Sequence, residues 1–148
     1  MAGDERSPIA DRGTAPAPAP LVLDASVLIA HLDARHTHHQ RAGALLETAV
    51  AAPLGASTVT IAEVLVGPAR AGRLEEARAA LTRLGLREIG LGEEAAPRLA
   101  TIRAETGLKL PDCCVLLAGE DGEARGVASF DDRLSAVAAG MGLHRPEG

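Results

Sequence analysis

Short apolar runs alternate along the chain with longer stretches whose composition favours helices. The apolar runs predict four strands, at residues 21–23, 54–57, 86–89 and 126–129, and a further short strand near Leu143. The intervening stretches predict helices at 26–33, 38–52, 60–71, 74–84, 93–106, 111–120 and 131–139. Helical signals outweigh strand signals, so the sheet should be small.

Strands that are separated by helices in this way form parallel sheets with helices on both faces. We therefore predict an α/β fold in which a small central parallel β-sheet lies between two helix layers, an α/β/α sandwich. The length of 148 residues suits one domain with a sizeable core. A single Phe and no Trp or Tyr argue against modules that stack bases on aromatic platforms.

The first 19 residues differ from the rest, because they are polar and then alternate Ala with Pro. We expect residues 1–19 to form a disordered, dispensable leader, and residues 20–148 to form the domain. We see no apolar stretch of signal-peptide length, and the run 21–32 is too short to span a membrane. Cys113 and Cys114 are neighbours that cannot pair without strain, so we expect buried thiols in a reducing cytoplasm.

Four acidic residues occupy similar places in the predicted elements. Asp24 follows the first strand and Asp131 follows the fourth. Glu63 lies in the helix after the second strand, and Asp112 begins another helix. The carboxyl ends of parallel strands form the binding edge of an open α/β sheet. We therefore predict that these four carboxylates gather there, and we call this region the acidic edge.

Each of these acids also fits a helix cap. Asp24 and Asp131 could be N-caps, Asp112 favours a first helical turn, and Thr60 with Glu63 matches a capping box. If the four carboxylates do converge, either some pKa values are raised or a divalent cation binds. Oxygen ligands alone suit Mg²⁺ or Mn²⁺. Such an ion activates water and neutralises charge on a scissile phosphate.

The segments around these acids, taken together, resemble the signature elements of the PIN domain. They are Leu-Val-Leu-Asp-Ala-Ser, Ser-Thr-Val-Thr-Ile-Ala-Glu-Val-Leu, Leu-Pro-Asp and Ser-Phe-Asp, in the family's order, and the resemblance covers about residues 21–143. Domains of this size are similar to the VapC group of toxins from bacterial toxin–antitoxin pairs. The resemblance implies a PIN-like nuclease domain, and with it a metal-dependent endoribonuclease.

The resemblance also implies the roles of individual residues. The catalytic and metal-binding residues would be Asp24, Glu63, Asp112 and Asp131, and the supporting hydroxyls would be those of Ser26 and Ser129. The cofactor would be Mg²⁺, for which Mn²⁺ substitutes. The partners would be an RNA substrate, a DNA-binding antitoxin of the VapB type and a second copy of the chain. Asp131 is followed by Asp132, which leaves open which of the two faces the metal.

Other functions fit the sequence less well. A phosphatase with an Asp nucleophile needs a second Asp where Ser26 stands, and a receiver domain needs a lysine at a late strand end, whereas the only lysine, Lys109, precedes a helix. An inactive PIN-like module that only binds partners, or a Mg²⁺-binding regulatory domain, is the remaining alternative. The net charge of −5 does not exclude RNA binding, because four of the acids would belong to one metal site.

Two further clusters have simpler interpretations. The histidines at positions 36, 38 and 39 suggest a transition-metal site, but no acid or cysteine stands at ligand spacing, so we expect a solvated loop. The arginines at positions 70, 73, 78 and 83 could contact phosphates. Because Glu75 and Glu76 lie among them, we expect a solvated helix surface instead.

Overall fold

The computed structural model describes residues 18–49 and 52–143, and predictions for the remaining positions lie outside these residues. The described part contains four strands: β1 (Leu21–Leu23), β2 (Leu54–Ser57), β3 (Leu86–Ile89) and β4 (Gly126–Ala128). It also contains seven helices: α1 (Ala25–Leu32), α2 (His39–Thr48), α3 (Thr58–Arg70), α4 (Leu74–Leu84), α5 (Ala95–Thr106), α6 (Leu110–Asp121) and α7 (Asp132–Gly140).

The strands form one parallel sheet in the order β3-β2-β1-β4. Strand β1 is central, and its Val22 is aligned with Gly55 of β2 and with Val127 of β4. Since every strand runs in the same direction, all four carboxyl ends lie at one edge of the sheet. At that edge β2 leads directly into a helix, β1 does so after Asp24, and β4 does so after residues 129–131.

Helices cover both faces of the sheet, which confirms the predicted α/β/α sandwich. Along β1, Leu21 and Leu23 belong to one hydrophobic core, whereas Val22 belongs to the other, because successive strand side chains point to opposite faces. The first core is closed by α1–α4, and the second is closed by α5–α7. Both cores are built mainly from Leu, Val and Ala, as the composition implies.

Most helix boundaries differ from the sequence prediction by one or two residues, and two of the differences have a clear local cause. Helix α2 ends at Thr48, whose hydroxyl donates to the carbonyl oxygen of Leu45, and not at residue 52. Helix α3 begins at Thr58, because the hydroxyl oxygen of Ser57 accepts a hydrogen bond from the Val59 N–H and caps the helix. The prediction of a capping box formed by Thr60 and Glu63 was therefore wrong, since Thr60 lies inside the helix.

The predicted strand near Leu143 has no counterpart within residues 18–143. Leu143 nevertheless contacts the sheet, because its carbonyl oxygen accepts a hydrogen bond of 2.7 Å from the Val127 N–H of β4. Its side chain is buried against Gly119, at which an added Cβ would lie 3.0 Å from Leu143 Cδ1. None of the helices in the described ranges is long and apolar enough to cross a bilayer.

Two leucines of α6 test how strongly this core stabilises the fold. Leu116 is fully buried, whereas Leu110 at the start of the same helix is 51% exposed. We expect Leu116→Ala to lower the free energy of unfolding by about 2–5 kcal/mol, because it removes buried methyl groups and leaves a cavity. The matched Leu110→Ala variant should change it by less than about 0.5 kcal/mol. Urea denaturation measures both, and equal effects would show that α6 is not a core helix.

Candidate metal centre at the acidic edge

Asp24 stands at the carboxyl end of the central strand and caps the helix that follows. Its Oδ1 accepts a hydrogen bond of 3.3 Å from the Val27 N–H in the first turn of α1. Only 5% of the residue is exposed, and it is the only buried acid in the described part of the chain. A buried carboxylate at a strand end is costly unless its oxygens are satisfied. The cap and site interpretations of Asp24 are therefore compatible.

Two serine hydroxyls hold the Asp24 carboxylate from both sides. Ser26 Oγ donates to Oδ1 and Ser129 Oγ donates to Oδ2, each at 2.6 Å. The hydroxyls are themselves fixed, because Ser26 Oγ accepts from the Phe130 N–H at 3.0 Å and Ser129 Oγ accepts from the Asp131 N–H at 2.9 Å. This network joins the end of β1 to the segment after β4, and it leaves the Asp24 carboxylate one orientation.

Asp131 caps the last helix from the same segment. Its Oδ1 accepts hydrogen bonds from the Arg133 N–H at 2.9 Å and the Leu134 N–H at 3.1 Å. Asp132 is the first residue of α7. Asp131 lies close enough to Asp112 to raise its pKa, and Asp132 has no such effect. This observation favours Asp131 as the residue that faces the acidic edge.

Glu63 and Asp112 are drawn into the same region by α3 and α6. Burial raises the pKa of Glu63, and the carboxylates of Asp112 and Asp24 raise it further. Burial likewise raises the pKa of Asp112, followed by the effects of Asp131 and Asp24. Lys109 acts on that pKa in the opposite direction. Asp112 is thus within electrostatic reach of Asp24, Glu63 and Asp131, and Glu63 is also within reach of Asp24.

These carboxylates do not form a finished coordination shell. Within residues 18–49 and 52–143, no three His, Cys, Asp or Glu side chains are placed so that they could hold a metal ion. The donor chemistry nevertheless fits a hard dication, because every candidate ligand is an oxygen and two of the acids carry raised pKa values. A divalent cation would relieve the same repulsion that raises them.

Sequence analysis missed a polar atom beside Glu63. Thr60 is fully buried, and its Oγ1 is the single buried side-chain polar atom of the described residues that lacks a hydrogen-bond partner. Thr60 lies three residues before Glu63 in α3, so both occupy the same helix face. Buried hydroxyls are nearly always paired, so Thr60 is an exception among the described residues. In the sequence, the position of Thr60 between Val59 and Ile61 could have indicated that its hydroxyl is buried.

The two other polar clusters differ in how well they match the prediction. Arg73 pairs with Glu76 and Arg78 with Glu75 on an exposed helix surface. The histidines lie outside any metal-binding group in the described residues. His38, however, is not merely solvated: its ring centroid lies 5.4 Å from that of Phe130, which is part of the Asp24 network. Cys113 and Cys114 are free and buried, as predicted.

A parallel α/β/α domain with clustered carboxylates at the carboxyl ends of its strands belongs to a class that is suited to binding divalent cations and phosphates. The family model of the PIN domain matches residues 21–140, and the chain belongs to that family. The family resemblance of the four acidic segments is thereby confirmed. No curated protein matches the sequence significantly.

Two solved structures share this fold. A chain from a toxin–antitoxin complex of Klebsiella pneumoniae is 26% identical, with a TM-score of 0.61, over 75% of this chain and 86% of the other. The sarcin–ricin loop cleaving toxin VapC20 of Mycobacterium tuberculosis is 18% identical, with a TM-score of 0.64, over 79% of this chain and 94% of the other. Because the sequence identity to VapC20 is only 18%, this similarity concerns the fold alone.

The raised pKa of Asp112 generates a stability prediction for the metal-free protein. Folding penalises the charged form of this group, so its contribution to stability falls as pH rises from the ordinary carboxyl pKa through the raised value. In EDTA at pH 7, Asp112→Asn should therefore melt at a higher temperature than the wild type. The difference should shrink towards about pH 4, where carboxyl groups are largely protonated.

Differential scanning calorimetry at both pH values measures this effect. Glu47→Gln is the control, since Glu47 is an exposed carboxylate of α2 without an ion pair among the described residues. A gain at Asp112 that is equal at both pH values would contradict the electrostatic explanation. A loss of stability would show that Asp112 acts chiefly in the first turn of its helix.

Proposed function

We propose that this protein is a metal-dependent endoribonuclease and the toxin of a toxin–antitoxin pair. The observation that carries the proposal is the Asp24 carboxylate, which is buried, held at both oxygens by serine hydroxyls and close to Glu63 and Asp112, while Asp131 joins the same hydrogen-bond network. Membership of the PIN family and the similarity to a chain of a toxin–antitoxin complex support it. A purely structural cap would not need this arrangement.

The residues of the acidic edge would hold Mg²⁺, or Mn²⁺ in its place, through Asp24, Glu63, Asp112 and Asp131. When bound, the ion would supply an activated water and neutralise charge on the phosphate that is cleaved. Asp24 presents a fixed oxygen, because Ser26 and Ser129 hold its orientation. Burial and the neighbouring carboxylates raise the pKa of Glu63 in the metal-free chain, and a bound cation would relieve that repulsion.

An antitoxin could silence this site through a neighbouring groove. A cavity of about 560 Å³ lies between α1 and α3 and includes Glu63 among its lining residues. The side chain of Ile29, which is 40% exposed, contributes to its apolar wall. A helix of a VapB-type antitoxin would lie there and direct an Arg or Lys towards the carboxylates.

We also propose that the protein is a homodimer and that it acts in the cytoplasm. Analytical ultracentrifugation tests the dimer.

Cleavage of RNA by the purified chain should require a divalent cation. We expect EDTA to abolish cleavage of total RNA, and Mg²⁺ or Mn²⁺ to restore it, because the candidate ligands are all oxygens. Asp24→Asn should lose at least about 100-fold in rate, since removal of one charged ligand weakens metal binding and activity. Glu47→Gln should retain the wild-type rate. Full activity in EDTA would overturn the metal-dependent mechanism.

The toxic effect in cells should depend on the same carboxylate. Expression of the wild-type chain should slow bacterial growth, and co-expression of its antitoxin should restore growth. Asp24→Asn should be harmless without any partner, because it removes the buried acid on which the site is built. Growth curves, with immunoblots to confirm equal expression, measure this. Growth arrest by a well-expressed Asp24→Asn variant would favour the inactive binding module instead.

A further inference from the structure

Phe130 lies between the site residues Ser129 and Asp131. Apart from the histidines, it is the only aromatic residue of the sequence. Its backbone N–H donates to Ser26 Oγ, so the residue belongs to the network around Asp24. Its half-buried ring is covered by the Arg41 guanidinium, whose Cζ lies 4.4 Å from the ring centroid. Arg41 is therefore anchored beside the acidic edge, although it comes from α2.

Arg41 is one of several arginines without an ion pair in the described residues, and among them it is the one that lies over an aromatic ring. Arg73, Arg78 and Arg98 are engaged with carboxylates. Arg103 and Arg133 donate to backbone carbonyl oxygens. Arg41 is exposed, and within residues 18–49 and 52–143 its guanidinium makes no hydrogen bond and has no carboxylate within 4.0 Å.

The Phe130 ring gives this cation a partner that is not a carboxylate. A guanidinium over an aromatic ring is attracted by the ring quadrupole, and its N–H donors stay free for other partners. Phe130 lies between Ser129 and Asp131, so the contact places Arg41 near the segment that holds Asp24. His38 lies against the same ring, at 5.4 Å between centroids, and extends the aromatic surface at this position.

A polyanion that approaches the acidic edge meets repulsion, because the net charge is −5 and the site itself is acidic. An RNA strand therefore needs a cation beside the site, and planar guanidinium groups bind phosphate through paired N–H donors. On the basis of the proposed ribonuclease function, we infer that Arg41, supported by Phe130 and His38, binds a backbone phosphate of the RNA strand next to the cleaved position.

Binding of a labelled single-stranded RNA of mixed sequence tests this inference. Fluorescence anisotropy is measured with the full chain in Mg²⁺, in an Asp112→Asn background that keeps the RNA intact. We expect Arg41→Met to raise Kd about tenfold, as for loss of a charge-assisted hydrogen bond. The slope of log Kd against log salt should fall by about 0.7, the value for one phosphate contact on a single strand. Arg41→Lys should retain most of that slope.

Arg125→Met is the matched control, because Arg125 is exposed and precedes β4 at the opposite edge of the sheet, where its N–H donates to Pro20. Equal affinities of Arg41→Met and Arg125→Met would overturn the inference. Methionine retains an apolar stem over the ring, so the Arg41→Met chain should keep the wild-type melting temperature. A lower melting temperature with an unchanged salt slope would show that Arg41 only covers Phe130.

Cleavage assays separate this inference from the proposed function. In the otherwise wild-type chain, Arg41→Met should raise KM while kcat is retained, since the acids remain in place. Weaker RNA binding by Arg41→Met, together with a wild-type chain that cleaves no RNA, would support the phosphate contact and refute the nuclease. Cleavage that is unaffected by Arg41→Met would refute only the contact. Weakened antitoxin binding with unchanged RNA affinity would assign Arg41 to the protein partner and overturn the inference.

Discussion

Two serine hydroxyls donate hydrogen bonds to the Asp24 carboxylate, and these bonds determine how the rest of the acidic edge is organised. A buried carboxylate requires hydrogen-bond donors, and here they come from Ser26 in the helix after β1 and from Ser129 after β4. Each hydroxyl oxygen also accepts a hydrogen bond from a backbone N–H of the segment after β4. The positions of Phe130 and Asp131 therefore follow from the need to satisfy Asp24.

Opposing electrostatic requirements meet at this edge. The acids that suit a hard cation repel one another, which the raised pKa values of Glu63 and Asp112 reflect. Helix starts reduce the cost, because Asp24 and Asp131 accept backbone N–H bonds of α1 and α7. Capping and metal binding are thus not competing explanations here. The same geometry that stabilises a helix N-terminus also fixes a carboxylate at the end of a parallel strand.

The fold was largely predictable from the chain, the roles of the four acids remain a prediction, and the finer contacts were not predictable. Strand–helix alternation predicts the parallel sheet, and a parallel sheet brings strand ends together, so Asp24 and Asp131 could be assigned to one edge. The start of α3 was misplaced because Ser57 and Thr60 are both good caps, and only tertiary packing buries Thr60. The contact of Arg41 with Phe130 joins residues that no local pattern relates.

The hydrogen bond between Ser129 and Asp24 joins residues 105 positions apart in the chain. Domains generally form during synthesis from the N-terminus onward, at a rate of roughly 5–20 residues per second. Asp24 therefore emerges from the ribosome long before the strand that supplies its second donor. A nascent chain that lacks β4 and the residues after it has the Ser26 hydrogen bond to Asp24, but it lacks the Ser129 hydrogen bond and Asp131. Its acidic edge is therefore incomplete. A nascent chain therefore cannot form the complete hydrogen-bond network around Asp24 before the segment after β4 has emerged.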